Sequence, residues 1–209
     1  LIDLRHNGMI KVVTGMRRCG KSYLLFNLFT DALKAKGVDE ENIVQINLED
    51  RRNKSLRDPD KLLAYIDSRL KDNKMYYILL DEVQLVNEFE DVLNSYLQVK
   101  NADVYVTGSN ARFLSKDVIT EFRGRGLEIR VHPLSFSEIR GARPDEPIEQ
   151  LWIEYITYGG LPQVITMNSD QEKVDYLKGL FKHTYLKDIK ERYDIKLDGD
   201  LEELISTLA

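Results

Sequence analysis

The stretch GMRRCGKS, residues 15–22, decides the fold of this chain. It matches the pattern G-x-x-x-x-G-K-S/T at every fixed position, and that pattern is typical of loops that bind nucleotide phosphates. Gly15 and Gly20 let the backbone curl so that its N–H groups converge on phosphate oxygens. We expect Lys21 to reach the β- and γ-phosphates and the Ser22 hydroxyl to bind Mg²⁺. The sequence therefore predicts a site for a nucleotide with Mg²⁺ at this loop.

Arg17, Arg18 and Cys19 complete the predicted phosphate-binding loop, and each keeps more than one interpretation. The two arginines either face solvent or contact a phosphate or a partner, and the sequence does not decide between these. Cys19 either fills space as a small side chain or acts as an oxidisable switch. It is the single cysteine of the chain, which excludes an internal disulfide and a zinc site built on several thiolates. A lone thiol favours a reducing compartment, and we expect a cytoplasmic protein.

The sequence around the loop predicts alternating strands and helices. Residues 10–14 (IKVVT) form a short β-branched run before the loop, and residues 21–36 follow it with apolar side chains at helical spacing. These side chains are Leu24, Leu25, Leu28, Phe29 and Ala32. Further strands are predicted at 42–48, 75–80, 103–107 and 127–131, with helices at about 59–70, 88–99 and 111–122. The pattern predicts an α/β fold with a five-stranded parallel sheet and helices on both faces.

After about residue 134 the sequence shows only helical signals. They are broken at 141–147 and at 158–162, and they predict helices at 171–192 and 200–208. We therefore predict two domains. Residues 1–134 form the core that carries the phosphate loop, and residues 135–209 form a small all-helical extension or lid.

An apolar strand, YYILL at residues 76–80, runs directly into Asp81 and Glu82. An aspartate at the carboxyl end of a buried parallel strand would lie at the same sheet edge as the phosphate loop. We expect Asp81 to hold Mg²⁺, largely through water, and Glu82 to polarise the attacking water as a base. The other interpretation is a helix N-cap pair before Val83. The adjacent acids favour an ATP hydrolase over a small-molecule kinase, and the lack of an Asn-Lys-x-Asp guanine signature favours ATP over GTP.

Two further pairs of residues are candidates for the same site. After the fourth strand, the run Thr107-Gly108-Ser109-Asn110 offers polar side chains at the same sheet edge. Either Ser109 or Asn110 would position the water or contact the γ-phosphate, unless the run forms an ordinary capped turn. Arg123 and Arg125, just before the fifth strand, would act as an arginine finger on the transferred phosphate, in cis or from a neighbouring subunit. The alternative for both arginines is a basic turn.

The composition limits the partners. The 209 residues carry 30 basic and 35 acidic side chains, and the net charge of -5 argues against a protein that coats nucleic acid with its whole surface. Basic residues are concentrated in segments 1–36 and 111–143, so a polyanion such as DNA stays a candidate partner. No run of 18 apolar residues exists, and we expect no membrane-spanning helix. The three histidines do not share metal-ligand spacing, so no metal beyond Mg²⁺ is predicted.

Together these motifs resemble those of the prokaryotic AAA-like predicted ATPases that carry a C-terminal domain of unknown function. The resembling stretches are KVVTGMRRCGKS, INLED, YYILLDEVQ, VYVTGSNARFLS, FRGRGLEIRVHPLSFSEI and YGGLPQV. The resemblance implies a P-loop NTPase core of the AAA/ASCE type, with the 103–107 strand between the phosphate-loop strand and the strand before Asp81. It also implies a helical extension from about Leu134 and then a C-terminal domain, sometimes likened to a restriction-endonuclease-like fold, largely missing from a chain that ends at Ala209.

The sequence leads to one main hypothesis and two alternatives. The main hypothesis is a slow Mg²⁺-dependent ATPase that uses the cycle of ATP and ADP to move its helical and C-terminal parts, as a homo-oligomer or with a partner protein. The first alternative is a nucleotide-dependent interaction switch or DNA-binding module with negligible turnover. The second is a nucleotide kinase, which Glu82 and the lack of an obvious acceptor lid disfavour.

Overall fold

The structure, a computed structural model, describes residues 1–108, 122 and 124–182. The chain divides into two units, Leu1–Leu134 and Ser135–Ala209. Most of the helix predicted at 111–122, the end of the one predicted at 171–192 and the one at 200–208 lie outside the described residues.

Within the described residues, the first unit contains a five-stranded parallel sheet, as the sequence predicted. The strands are β1 (Ile10–Thr14), β2 (Ile43–Asn47), β3 (Tyr76–Asp81), β4 (Ala102–Thr107) and β5 (Gly126–Arg130). Their order is β2-β3-β4-β1-β5, and every neighbouring pair is parallel. Strand β4 therefore separates β1 from β3, which confirms the arrangement that the resemblance implied. Because parallel strands end at one edge of a sheet, the residues that follow β1, β3 and β4 meet at its carboxyl edge.

Helices cover both faces of the sheet. The helix after β1, named α1, has three consecutive parts, Lys21–Tyr23, Leu24–Phe29 and Thr30–Ala35. The other two described helices of this unit are α2 (Pro59–Arg69) and α3 (Phe89–Tyr96). Short 3₁₀ helices lie at Ile2–Leu4, Glu40–Asn42, Arg51–Arg57 and Val83–Leu85. On one face α1 packs on Tyr77, Leu79 and Tyr105. On the other face α2 and α3 pack on residues such as Ile78 and Val106. Successive side chains of a strand point to opposite faces, which is why neighbours in sequence belong to different cores.

The register of α1 differs from the sequence prediction. Helical spacing placed Leu28 with the buried residues, whereas its side chain is 52% exposed. The middle of α1, Leu24–Phe29, has the wider turn of a π-helix. The buried positions therefore fall at Leu25, Phe29 and Leu33, and Leu28 is rotated toward solvent. The amino end of α1 still begins directly at the phosphate loop.

A buried charge pair joins β1 to β4, and sequence reasoning missed it. Lys11 is 0% exposed, and its ammonium donates to the Asp103 carboxylate. Asp103 also accepts from the Tyr105 hydroxyl at 3.0 Å and from the His6 backbone N–H at 3.1 Å. Burial lowers the pKa of Lys11, while the hydrogen bond and the charge of Asp103 oppose that shift. The Asp103 carboxylate is therefore the group that offsets the burial of a charged lysine in the sheet.

Asp103→Ala is expected to lower the free energy of unfolding by about 3–5 kcal/mol, because it leaves the Lys11 ammonium buried without a carboxylate. Urea denaturation measures the change. As a control, Asp31→Ala removes an exposed carboxylate from α1 and should stay within about 0.5 kcal/mol of wild type. The double variant Lys11→Met/Asp103→Leu removes both charges and should recover most of the loss. A loss below about 1 kcal/mol for Asp103→Ala, the value of an exposed pair, would contradict the assignment.

The described part of the second unit is helical, as predicted. Its helices are α4 (Phe136–Ala142), α5 (Ile148–Tyr158), α6 (Pro162–Ile165) and α7 (Asp170–Leu180). Capping boxes at Ser135 and Ser169 begin α4 and α7. Glu154 on α5 accepts from Arg143 at 3.0 Å and from Lys173 at 2.8 Å, which ties α5 to the end of α4 and to α7. In the part of the chain that the structure describes, no helix is both long and apolar enough to cross a bilayer.

Candidate nucleotide-binding site

The loop between β1 and α1 has a backbone shape that depends on its glycines. Gly15 has a φ of +146°, and a Cβ added there would lie 2.3 Å from the Val131 carbonyl oxygen. Gly20 has a φ of +100°, in the region that favours glycine. Helix α1 starts at Lys21, so the unpaired N–H groups at the beginning of that helix border the loop. These features form a backbone cradle suited to an anion.

Lys21 lies inside the loop that it closes. It is only 5% exposed, and its Nζ donates to the carbonyl oxygens of Gly15 at 3.0 Å and Met16 at 2.9 Å. A lysine ammonium has three N–H donors, so these two bonds leave one donor for an anion in the loop. The arrangement places a positive charge where the loop backbone would surround a phosphate.

The other loop side chains differ in burial. Cys19 is 3% exposed, and its Sγ donates to the Val131 carbonyl oxygen at 3.6 Å. Burial raises the pKa of this thiol, although the charge of nearby Lys21 opposes the shift. A buried, protonated thiol is a poor nucleophile, so the structure favours the space-filling interpretation over the oxidisable switch. Arg17 is half-buried, Arg18 is exposed with a φ of 64°, and phosphate contact by either arginine stays a prediction.

Ser22 and Asp81 meet at the carboxyl edge of the sheet. Ser22 Oγ donates to Asp81 Oδ1 at 2.9 Å, and the Thr107 hydroxyl donates to the same oxygen. Asp81 is 2% exposed. Burial raises the pKa of Asp81, while the hydrogen bonds from Thr107 and Ser22 lower it. The carboxylate is therefore fixed between the phosphate loop and the end of β4.

Glu82 leaves β3 in an unusual backbone conformation. Its φ of 56° lies in the left-handed region, which is uncommon for a residue other than glycine. Its N–H donates to Thr107 Oγ1 at 3.1 Å, and its carboxylate accepts from Gln84 Nε2. The Thr107 hydroxyl therefore accepts from Glu82 and donates to Asp81 at once. Strained backbone held by specific hydrogen bonds is typical of functional sites.

Thr107 and Gln84 lie in the candidate site, and the sequence prediction did not select either of them as a site residue. Thr107 opens the polar run after the fourth strand, but the prediction favoured Ser109 and Asn110, which lie outside the described residues. The available signal was a polar side chain as the last residue of a buried strand, the same position that Asp81 occupies on β3. For Gln84 the signal was its place at the end of YYILLDEVQ, one of the stretches that carry the family resemblance, and the turn after β3 brings it back to the acidic pair.

Arg125 does not lie at the phosphate loop. Its carbonyl oxygen accepts the Ile10 N–H at 2.8 Å, at the beginning of β1. Strand β1 has five residues and spans about 16 Å, so Arg125 is at the amino edge of the sheet, farther from the loop than an arginine side chain reaches. The prediction of a finger in cis from Arg125 is therefore wrong, and a contact from a neighbouring subunit stays a prediction. Arg123 lies outside the described residues.

The oxygen atoms at the carboxyl edge fit a magnesium ion. Ser22 Oγ and the Asp81 carboxylate are hard oxygen donors, the kind that Mg²⁺ prefers. Mg²⁺ that is bound with a nucleotide takes one or two protein ligands and completes its shell with phosphate oxygens and water. The described ranges contain no group of three or more His, Cys, Asp or Glu side chains able to hold a metal.

The sheet order, the glycine-lysine loop after β1 and the acidic pair after β3 define this protein as a P-loop NTPase. The AAA domain family matches residues 7–140. The chain therefore belongs to this family of AAA-like ATPases, as the resemblance in sequence suggested.

Two curated proteins and one solved structure are similar to this chain. The chain is 34% identical to an uncharacterized protein of Haemophilus influenzae over 214 residues, covering 100% of the chain and 53% of that protein. It is 29% identical to an uncharacterized protein of Methanocaldococcus jannaschii over 212 residues, covering 95% of the chain and 46% of that protein. The chain thus spans about half the length of the curated relatives it matches. A DNA polymerase III gamma subunit-related protein from Thermotoga maritima shares the fold, with a TM-score of 0.51, 11% identity and coverage of 87% of this chain and 59% of that one.

Proposed function

We propose that this chain binds ATP together with Mg²⁺ and hydrolyses it slowly to ADP and inorganic phosphate. The observation that carries the proposal is the hydrogen bond of 2.9 Å between Ser22 Oγ and Asp81 Oδ1. It joins a side chain of the phosphate loop to a carboxylate from another strand, at the point where a nucleotide-bound Mg²⁺ needs oxygen ligands. Membership of the AAA domain family supports nucleotide binding independently.

Binding rests on the phosphate loop. The backbone from Gly15 to Gly20 and the beginning of α1 offer N–H groups to phosphate oxygens. The Lys21 ammonium donates its remaining N–H to the β- and γ-phosphates without leaving the loop carbonyls that hold it. Ser22 and Asp81 would hold the Mg²⁺, which supplies positive charge beside the phosphates when bound.

Hydrolysis rests on Glu82. As the water oxygen bonds to the γ-phosphorus, Glu82 takes a proton from that water, and the bond between the γ-phosphorus and the bridging oxygen of ADP breaks. The backbone of Glu82 is restrained by the hydrogen bond from its N–H to Thr107, and its carboxylate accepts a hydrogen bond from Gln84 Nε2. Such restraint lowers the entropy lost when water and phosphate are aligned.

The phosphate loop also contacts the segment that leads to the second unit. The Val131 carbonyl oxygen accepts from Cys19 and faces Gly15 closely, and the Val131 N–H donates to the Thr14 carbonyl oxygen at 2.8 Å. The second unit begins at Ser135, a few residues later. A change in the loop between its ATP and ADP forms would therefore act on this segment first. We propose that the nucleotide cycle moves the attached helical and C-terminal parts through it.

Ser22→Ala tests the metal site. The gain in ATP affinity that Mg²⁺ provides should fall about tenfold or more, because one oxygen ligand is lost. Calorimetric titration of ATP with Mg²⁺ and with a chelator measures that gain. Ser68→Ala, which removes the hydroxyl of an exposed serine on α2, should keep the full gain. An equal Mg²⁺ effect in wild type and Ser22→Ala would show that the ion is not held at this position.

A further inference from the structure

Gln84 contacts the Glu82 carboxylate from the turn that follows β3. Val83–Leu85 forms a single 3₁₀ turn, and it brings Gln84 Nε2 to Glu82 Oε2. An ionised carboxylate only accepts hydrogen bonds, so the amide must present its NH₂ group to Glu82. The hydrogen bond therefore fixes which end of the Gln84 amide faces Glu82. Nε2 contacts the carboxylate oxygen, and the amide oxygen Oε1 faces away from it.

The other end of the Gln84 amide, the carbonyl oxygen Oε1, is buried. Oε1 is shielded from solvent and accepts no hydrogen bond from the residues that the structure describes. An unpaired buried carbonyl is costly, and native structures keep one mainly where water or a ligand supplies the missing bond. A water held between Oε1 and the Glu82 carboxylate would supply the missing bond. Such a water would have polar partners on two sides, as a bound water requires.

We propose that Gln84 positions both Glu82 and the attacking water for ATP hydrolysis. Nε2 holds one oxygen of the Glu82 carboxylate, and Oε1 accepts one hydrogen bond from the water. The second hydrogen of that water goes to Glu82 as a proton, so the lone pair of the water oxygen is directed at the γ-phosphorus. Gln84 exchanges no proton, and the bond that breaks is the one between the γ-phosphorus and the bridging oxygen of ADP. This inference rests on the proposed ATPase function and names a further residue that the function needs.

Gln84→Met is the first test, because methionine keeps the length of the side chain and removes both hydrogen bonds. We expect kcat to fall about 10- to 100-fold, the effect of misplacing a reacting group slightly. The Kd for ATP with Mg²⁺ and the midpoint of thermal unfolding should stay at wild-type values, since neither the loop nor the core is changed. Gln98→Met makes the same change at an exposed residue after α3 and should alter none of the three quantities. A wild-type kcat in Gln84→Met would overturn the inference. So would a fall in kcat accompanied by a similar loss of ATP affinity or by a lower midpoint of thermal unfolding.

The double variant Glu82→Gln/Gln84→Met is the second test. If Gln84 acts on the step that Glu82 performs, adding Gln84→Met to Glu82→Gln should change the residual rate by less than about twofold. Release of labelled phosphate, counted over hours, measures such slow rates. A further fall as large as in the single variant would mean that Gln84 acts independently. Absence of turnover in the wild type would defeat the proposed function, whereas turnover lost in Glu82→Gln and kept in Gln84→Met would defeat this inference alone.

Discussion

Glu82→Gln is expected to lower ATP turnover by about 100- to 10,000-fold while ATP affinity stays near wild type. Glutamine has nearly the shape of glutamate, but its amide does not take a proton from the attacking water. The substitution leaves the phosphate loop and the pair of Ser22 and Asp81 unchanged, so the phosphates and Mg²⁺ keep their ligands. Phosphate release measures turnover, and equilibrium titration measures affinity.

Glu88→Gln is the matched control for this variant. Glu88 is exposed beyond the same turn, and the substitution removes one carboxylate without touching the site. We expect wild-type turnover and affinity. If Glu82→Gln also hydrolysed ATP at the wild-type rate, another group would have to take the proton, and the role assigned to Glu82 would be wrong.

Lys21→Ala is expected to weaken ATP binding by about 10- to 150-fold, the value of one lost hydrogen bond from a charged group. The loss has a second cause in this loop. The carbonyl oxygens of Gly15 and Met16 now face the Lys21 ammonium, and without it they would lie beside anionic phosphates with no cation between them. Titration with ATP and Mg²⁺ measures the affinity.

Lys36→Ala, at an exposed lysine just after α1, is the control for loss of a positive charge and should bind ATP as the wild type does. Thermal unfolding of both variants shows whether the fold is kept. A folded Lys21→Ala protein with wild-type ATP affinity would mean that the phosphates are bound elsewhere than in the loop of residues 15–22.

The parts of the fold that were predictable each rest on a local pattern. The loop at residues 15–22 is recognised by its own spacing, and the strands are recognised by short apolar runs such as YYILL at 76–80. The direction of the strands follows from the helices between them. The position of β4 between β1 and β3 came from the resemblance to a known family, because no local pattern encodes the order of strands in a sheet.

Contacts between side chains on different elements were not predictable in the same way. Lys11 and Asp103 are separated by 92 residues, and only the pairing of β1 with β4 brings them together. The exposure of Leu28 depends on a π-helical turn that an assumption of regular helical spacing misses. The Gln84 contact depends on the conformation of the tight turn Val83–Leu85, which brings Gln84 back to Glu82.

The position of Arg125 could have been anticipated. A residue that comes just before a parallel strand lies at the amino edge of the sheet, whereas the phosphate loop follows a strand and lies at the carboxyl edge. The sequence already placed Arg125 before the fifth strand. The length of a strand then separates Arg125 from the phosphate loop of its own chain, so it does not act as an arginine finger in cis. Arg125 could contact a phosphate only in the site of a second subunit.

The most direct test of the proposed ATPase activity is phosphate release from ATP by the wild-type chain. It is measured with Mg²⁺ and with a chelator, and the Glu82→Gln variant is measured in parallel. We predict release above the uncatalysed background with Mg²⁺, background release with the chelator, and release at least about 100-fold slower in Glu82→Gln. Background release by wild-type protein that still binds ATP with Mg²⁺ would contradict hydrolysis and would favour a nucleotide-dependent switch instead.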